Sequence, residues 1–241
     1  MELVRSRAVV LRRIRYGDTS LIATLFSEDE GKVSVIAKGA LSSKSRRGLA
    51  AALEPLNLIE AVFYFKESRS VQTLSAADVL DDAAEAKSSY DGMMAGMRII
   101  SAFDRLTQEL EPSAELWRIL LATRETLKIA EEEKLQIVET MFRAAMLAAL
   151  GYMPMTDSCA ACGRSLSDGA GYSAERGGLL CADCRRGGLK LEASELEYLR
   201  SAFAIPGEFF GPDIPASIAG KIARIVESHG DYYVHRWPRR E

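Results

Sequence analysis

Histidine is nearly absent from this sequence, which holds only His229 and His235 among its 241 residues. Both lie near the C-terminus, so a catalytic relay built on histidine is not expected. Long apolar runs are lacking too, because the longest, Ala144–Met155, has about half of the residues needed to cross a bilayer. The first residues also lack the succession of charged, apolar and small residues that marks a secretory signal. We therefore expect a cytoplasmic protein with no membrane partner.

Recognisable enzyme motifs are missing as well. Gly31-Lys32 resembles part of a phosphate-binding loop, but Val33 stands where Ser or Thr is required and Phe26 replaces the upstream glycine. Nothing matches the dinucleotide-binding glycine pattern, the Gly-x-Ser-x-Gly nucleophile turn or the His-Glu-x-x-His zinc motif. Acidic clusters such as Glu131–Glu133 are typical of solvated helix surfaces. The sequence therefore predicts a protein that is not an enzyme.

Positive charge is concentrated at the start of the chain. The net charge is −3, yet residues 1–50 carry ten bases against five acids, and the remaining residues total −8. A basic segment on an otherwise acidic chain is common in proteins that bind polyanions. The alternative is a basic solvated face without a ligand.

The first eighty residues have the pattern of β-strands. Apolar residues alternate or run on at strand length in five segments, namely 7–14, 21–26, 32–37, 56–65 and 71–80. Five short strands fit a small closed barrel of the oligonucleotide-binding (OB) kind, although an SH3-type barrel has the same strand count. Residues 39–48, rich in Ser, Lys and Arg, are expected to form a mobile basic loop between the third and fourth strands.

From about Asp81 the apolar residues recur at helical spacing. Three buried helix faces are predicted, formed by Met93, Met97, Ile100, Phe103, Leu106 and Leu110, by Leu116, Ile119, Leu120, Thr123 and Leu127, and by Leu135, Val138, Met141, Phe142, Ala145, Met146 and Leu150. Gly151 and Pro154 are placed to end the third helix. Residues 194–203 and 218–237 are again helical, and we expect them to pack back onto the earlier helices.

All four cysteines belong to a single pattern. Two Cys-x-x-Cys turns, Cys159–Cys162 and Cys181–Cys184, are separated by 18 residues. The first turn supplies the sulfurs of Cys159 and Cys162, and the second supplies those of Cys181 and Cys184. All four can bind one ion when a hairpin brings the two turns together. Zinc fits such a shell better than iron, and four thiolates leave no open position, so we expect one structural zinc ion per chain. A pair of redox dithiols or disulfides is the alternative.

The predicted fold class is therefore α+β multidomain. It comprises a five-stranded OB-fold barrel for nucleic acid at 1–80, a helical domain at 81–153 and 189–241, and an inserted four-cysteine zinc module at 154–188.

Cations at the ends of the predicted strands are candidates for contacting phosphates. They are Arg12, Arg13 and Arg15 at the end of the first strand, Lys38 at the end of the third, and Lys44, Arg46 and Arg47 in the loop. On one rim of a barrel they would displace counterions from consecutive phosphates with little base preference. Tyr16 and either Tyr64 or Phe65 are candidate stacking platforms, with core or strand-edge packing as the alternative.

Several short motifs occur in a set order along the chain. They are Val10-Leu11, Tyr16-Gly17-Asp18, Leu25-Phe26-Ser27, Gly31-Lys32-Val33, Ala37-Lys38-Gly39, Lys44-Ser45-Arg46, Leu53-Glu54-Pro55-Leu56 and Gly151-Tyr152-Met153-Pro154. This ordered set resembles the RecO family of DNA repair and recombination proteins from the N-terminus through the metal module. The end of the chain, Tyr233–Pro238, departs from the longer histidine-containing helix end of many family members. Some of those relatives also lack the metal cysteines.

The resemblance implies a recombination mediator that needs no ATP. RecO proteins bind single- and double-stranded DNA, anneal complementary strands and help load RecA onto DNA covered by the single-strand binding protein (SSB). RecR and the C-terminal tail of SSB are implied partners, RecF and RecA are further candidates, and the protein is expected at the nucleoid. A zinc-ribbon scaffold of transcription or translation and a thiol oxidoreductase are the alternatives from other classes.

Overall fold

The apolar alternation of the first eighty residues produces five β-strands. The computed structural model describes residues 2–42, 48–166, 169–204, 206–207, 214–235 and 237–238. The strands are β1 (Glu2–Tyr16), β2 (Ser20–Ser27), β3 (Gly31–Ala37), β4 (Leu58–Phe65) and β5 (Gln72–Asp81). All five predicted segments overlap these strands, although β1 is longer than predicted at both ends and β4 begins two residues later, at Leu58.

The strand order identifies the kind of barrel. The sheet closes in the order β1-β2-β3-β5-β4, with β4 pairing back onto β1. All neighbours are antiparallel except β3 and β5, which run parallel where Val35 and Ile36 pair with Gln72 and Thr73. A five-stranded barrel closed by one parallel pair is the OB arrangement and excludes the SH3 alternative.

Alternating residues of the strands fill the inside of this barrel. The buried cluster includes Val10, Leu25, Val35 and Phe63, each of which has essentially no exposed surface. A short helix, α1 (Leu49–Ala52), lies between β3 and β4, and its residues pack against the same cluster. Because alternate residues of each strand point into the barrel, the remaining residues point outward and are available for other contacts.

In the part of the chain that the structure describes, six further α-helices follow: α2 (Ala84–Lys87), α3 (Tyr90–Leu106), α4 (Ala114–Ile129), α5 (Leu135–Ala149), α6 (Leu196–Ala202) and α7 (Ala216–Tyr233). By packing, the chain forms two units: residues up to 120 together with 127–129, and residues 121–126 together with those from 130 onward. The three-part division predicted from the sequence stays a prediction. Among the described residues, no helix combines the length and apolar character needed to cross a membrane.

The buried face of α3 differs from the predicted one. Ser89 caps the helix by accepting a hydrogen bond from the backbone of Gly92, and the buried side runs through Ala95, Ile99 and Phe103. The predicted stripe was wrong at its N-terminal end, where Met93 and Met97 are 40% and 39% exposed. It was also wrong at Leu110, which lies beyond the helix with a φ of 57°. The buried face of α3 is turned by about one residue from the predicted face, because small residues such as Ala95 allow close packing on that side.

The second unit carries the four-cysteine segment that the sequence predicts to be a metal module. Helix α5 packs against α7, and it ends before Gly151 as predicted, where the Tyr152 amide donates to the Leu147 carbonyl. Three short strands follow, β6 (Ala170–Ser173), β7 (Gly178–Leu180) and β8 (Lys190–Leu191), in the order β7-β6-β8. The hairpin predicted between the two cysteine turns is therefore β6–β7.

Candidate nucleic-acid interface and metal centre

Arg12 and Arg13 project to opposite sides of the barrel wall, as consecutive strand residues do, and an irregularity in β1 decides which of them faces outward. The register between β1 and β2 shifts between Val10 and Arg12. Beyond the shift, Arg13 pairs with Ala23 of the barrel core, whereas Arg12 pairs with Thr24. Because directly paired residues project to the same face of a sheet, Arg12 lies on the outer side and Arg13 on the core side.

The two arginines have different partners. Arg12 Nε donates to Asp104 Oδ2 of α3 over 2.9 Å, while Arg13 Nη1 donates to the carbonyl of Ala50 over 2.7 Å and the same guanidinium pairs with Glu54. The Arg12 side chain is 56% exposed, against 28% for Arg13. The structure therefore keeps Arg12 within reach of a ligand and ties Arg13 to the segment around α1.

Arg15 and Lys38 lie at the same end of the sheet. Arg15 pairs with Leu21 of β2, which pairs in turn with Ala37, the residue before Lys38. The Arg15 guanidinium hydrogen-bonds the carbonyls of the following turn, residues 17–18. Lys38 is exposed and has no ion pair within the described part of the chain. These two predicted cations therefore lie at neighbouring strand ends, although Arg15, paired with Leu21 of the core, is on the core side.

An exposed apolar strip lies on the outer side of the same three strands. Ile14 pairs with Ile22, and Ile22 pairs with Ile36, so the three isoleucines line up across the sheet. Ile14 is 51% exposed and Tyr16, two residues further along β1, is 56% exposed. We call the set Arg12, Ile14, Tyr16, Ile22, Ile36 and Lys38 the outer face. It combines cations with an exposed aromatic ring, the usual composition of a single-strand binding surface.

The other predicted contacts have mixed outcomes. Tyr64 is 37% exposed, so it is not a core residue, whereas Phe65 packs against the barrel core. Lys44, Arg46 and Arg47 lie outside the described residues, and their role stays a prediction. The turn that leads toward them is joined to the β1–β2 turn, because the Leu41 amide donates to the Thr19 carbonyl over 2.8 Å.

The turn between β4 and β5 adds cations that the sequence reasoning missed. Lys66 and Arg69 are exposed there, and Gln72 fixes the turn by donating to both of their carbonyls. Gln72 pairs with Val35 of β3, so the turn lies beside the outer face. A depression of about 300 Å³ lies between this turn, the start of β3 at residues 32–34, and Glu109 and Leu110. The sequence could have indicated these cations, because they lie in the predicted β4–β5 loop, and this loop of an OB fold commonly contacts ligands.

Lys32, the lysine of the incomplete phosphate-loop pattern, is structural. Its Nζ donates to the carbonyls of Asp104 and Thr107 over 2.6 Å each, and it is 3.2 Å from Asp104 Oδ1. A lysine at the last turn of a helix satisfies carbonyls that have no partner within the helix. Lys32 therefore fastens the end of α3 to β3 and is too buried to bind phosphate.

The four cysteines come together as the sequence predicts. Their sulfur atoms all lie within 4.8 Å of one another, and Cys162 Sγ is 3.8 Å from Cys181 Sγ. A tetrahedral shell with zinc–sulfur bonds of about 2.3 Å requires sulfur–sulfur separations of about 3.8 Å. Each turn is closed by its own backbone, since Gly163 N donates to the Cys159 carbonyl and Arg185 N to the Cys181 carbonyl. The residues present can therefore hold a metal ion.

The pKa values of the clustered cysteines also favour binding of a cation. Burial alone would raise the pKa of Cys159, but backbone amides in the two turns outweigh it and lower this pKa to about 6. The amide of Arg164 lowers the pKa of Cys162. Hydrogen bonds to the neighbouring sulfurs raise the pKa of Cys184 instead. Four thiolates so close together repel one another, and a bound cation would relieve that repulsion.

Comparison with known proteins agrees with this architecture. The family model described as "Recombination protein O N terminal" matches residues 1–83, and "Recombination protein O C terminal" matches residues 87–241. Together they span nearly the whole chain. The chain belongs to the RecO family.

Individual relatives are of moderate identity. The DNA repair protein RecO of Rubrobacter xylanophilus is 32% identical over 77% of this chain and 73% of its own length. That of Acetivibrio thermocellus is 24% identical over 95% of this chain and 91% of its own length. The Salinibacter ruber protein is 39% identical over 54% of this chain, an alignment that spans 49% of that relative.

Proposed function

We propose that the chain is a DNA-binding recombination mediator that acts without covalent chemistry. RecO-family membership supports a role in recombinational DNA repair. In this proposal the protein binds single- and double-stranded DNA, anneals complementary strands without ATP and helps load RecA onto SSB-covered single strands. RecR and the SSB tail are the proposed partners, with RecF and RecA as further candidates.

The observation that carries the proposal is the outer face of the barrel. Ile14 and Tyr16 are more than half exposed on an OB barrel, although apolar side chains of this size gain free energy from burial. Arg12 and Lys38 flank them, and Lys66 lies on the adjoining turn. Stacking of bases on Tyr16 and contact of phosphates with the cations would together bind a single strand with little sequence preference.

Annealing by such a surface needs no external energy source. Base pairing is itself favourable, and the opposing term is repulsion between two phosphate backbones as they approach. A cationic surface lowers that repulsion by replacing condensed counterions. In this proposal the ion of the cysteine cluster is zinc, and it has a structural role, because four sulfur ligands leave no position for a reacting water.

Fluorescence anisotropy with a labelled oligothymidylate tests the outer face. We expect Tyr16→Ala combined with Lys38→Ala to weaken binding about tenfold, since loss of one stacked base costs ~1–3 kcal/mol. Lys44→Ala with Arg46→Ala and Arg47→Ala should flatten the salt dependence by up to about three phosphate contacts. Tyr90→Ala combined with Arg118→Ala removes one tyrosine and one cation from exposed positions on helices and serves as the control.

Each outcome bears on the proposal. Equal binding by the outer-face variant and the control would refute the assignment of this surface. Absence of binding by the unmodified protein, or binding that salt does not weaken, would favour a protein-contacting scaffold over a DNA-binding mediator.

A further inference from the structure

The zinc module carries a group of cations of its own, in addition to those of the barrel sequence. Cys184 is followed by Arg185, Arg186 and, four residues later, Lys190, and no acidic residue lies among them. We call these three residues the ribbon face. Arg186 and Lys190 are exposed and Arg185 is half-buried, and none of them has an ion pair within the described parts of the chain. Arg164 on the first cysteine turn differs, because Asp183 neutralises it over 2.8 Å.

A glycine brings two of these cations to the same side of the small sheet. Gly171 in β6 pairs with Lys190 in β8, so their side-chain directions coincide. A Cβ atom at Gly171 would lie 3.0 Å from Cβ and 3.3 Å from Cδ of Arg185. The stem of Arg185 therefore lies across the sheet where Gly171 leaves room, on the side that also carries Lys190. Glycine inside a strand weakens it, and close approach of another group is a common reason for its presence.

The cysteine cluster sets the position of this cationic segment. Both Cys184 N and Arg185 N donate to the carbonyl of Cys181, over 3.1 Å and 3.0 Å. The backbone that presents a metal-ligating sulfur thus continues directly into Arg185. An ion that orders the second cysteine turn would order the ribbon face as well.

The composition of the ribbon face favours nucleic acid over protein as its partner. Protein interfaces depend on buried aromatic or aliphatic anchors. The segment from Arg185 to Lys190 instead offers three cations, two glycines and the half-buried Leu189. Contacts to phosphates require only cations and accessible backbone, so this composition suits a sugar–phosphate chain.

We propose that the ribbon face is a second nucleic-acid surface, which binds the backbone of a second strand while the barrel holds the first. This inference rests on the proposed function, because an annealing protein has to hold two strands of like charge. One cationic surface engaged by one strand is already neutralised, and a separate surface lets the same chain attract the complement.

A strand-capture assay tests this assignment. The protein is loaded on a bead-bound oligothymidylate, and capture of a second, labelled, non-complementary strand is measured. We expect Arg185→Gln, Arg186→Gln and Lys190→Gln together to bind the first strand within about threefold of the unmodified protein, and to lower capture of the second strand about tenfold. Annealing of complementary strands should slow by a similar factor. Zinc content should not change, since none of the three is a ligand.

A control variant with the same change in charge carries Arg118→Gln, Lys134→Gln and Arg224→Gln, which lie on α4, just before α5 and on α7, respectively. Second-strand capture equal to the control would overturn the inference. Equal loss of first- and second-strand binding would also overturn it, because the ribbon face would then belong to a single continuous site. If DNA binding is unchanged but a polyglutamate peptide binds the unmodified protein and not the ribbon variant, the partner is an acidic protein. No first-strand binding by the unmodified protein would instead refute the proposed function.

Discussion

At the scale of single residues, Asp104 controls how much positive charge the outer face presents. Its carboxylate accepts from Arg12 over 2.9 Å and lies 3.2 Å from Lys32 Nζ. Lys32 does not depend on that carboxylate, since two backbone carbonyls also hold it. Arg12 has no other partner among the described residues, so the carboxylate occupies the position that a phosphate would take on this arginine.

We predict that Asp104→Asn strengthens binding to single-stranded DNA. Release of an exposed ion pair and loss of one negative charge should tighten binding up to about fivefold at low salt. The salt dependence should steepen by about 0.7, the contribution of one phosphate contact on a single strand. Anisotropy titrations at several salt concentrations measure both quantities. Glu60→Gln is the matched control, because it releases Arg5 on the opposite part of β1. If both variants behave alike, Asp104 has no specific influence on the outer face.

At the scale of elements, the metal module is fastened to α7 through His229. The histidine is 3% exposed, and its Nδ1 lies 2.9 Å from the hydroxyl of Tyr172 in β6. The ring of Tyr233 lies 4.6 Å away, centroid to centroid, and Tyr233 Oη donates to the Ala174 carbonyl. Burial lowers the pKa of His229, against a hydrogen bond to the Tyr152 backbone that raises it. Burial also raises the pKa of Tyr172, so this hydroxyl keeps its proton and is available to hydrogen-bond neutral His229.

Because His229 is buried in this contact with a lowered pKa, we predict that the free energy of unfolding of the second unit depends on pH. The folded pKa of His229 is depressed below its unfolded value of about 6.5, so the unfolded state binds more protons between the two values. Stability is therefore complete above pH ~6.5 and is lost as the pH falls toward the folded pKa, by about 1.4 kcal/mol per pKa unit of difference. Urea unfolding at pH 7.5 and 5.5 in excess zinc should show a larger loss for the unmodified protein than for His229→Gln. His235→Gln alters the exposed histidine and should keep the full pH dependence; the same profile in His229→Gln would contradict the prediction.

At the scale of the whole molecule, the chain is built as two units with different sources of stability. The first unit has a closed barrel whose core residues include Ala8, Leu25 and Phe63, all fully buried. The second includes a sheet whose strands have only two to four residues and whose ends are held by the cysteine turns. Such short strands bury too little apolar surface to be stable without a cross-link or an ion.

We predict that loss of the ion affects the two units differently. In Cys159→Ser, or after chelation, amide hydrogens of β6 and β7 should exchange rapidly, while those of β1 to β5 keep their protection. Hydrogen exchange followed by mass spectrometry measures both in one sample. Ser158→Ala, next to the ligand but without a metal-binding sulfur, should exchange like the unmodified protein. Persistent protection of β6 and β7 in Cys159→Ser would show that the hairpin is stable without the ion.

Local chemistry made much of this molecule predictable from the sequence alone. Alternating apolar residues determined the five barrel strands, because one side of each strand has to face a core. Two Cys-x-x-Cys turns determined the four-sulfur cluster, since each turn already positions two sulfurs. Helical spacing placed α3 to α7, but α7 ends at Tyr233 and not at residue 237. The buried face of α3 was also wrong, because Met93 and Met97 are exposed and small residues make the contact.

Tertiary structure alone decided which charges are available. Alternation along a strand places the adjacent Arg12 and Arg13 on opposite sides, but the register shift in β1 decides that Arg12 lies on the outer face and Arg13 beside α1. Lys32 and Lys38 are each the middle residue of a short motif at one end of β3, yet Lys32 is buried against the end of α3 and Lys38 is exposed. A side chain's charge is written in the sequence, but its partner is set by elements distant along the chain. The strand order that makes the barrel an OB fold is likewise a long-range property, because pairing of β3 with β5 depends on contacts that no local pattern encodes.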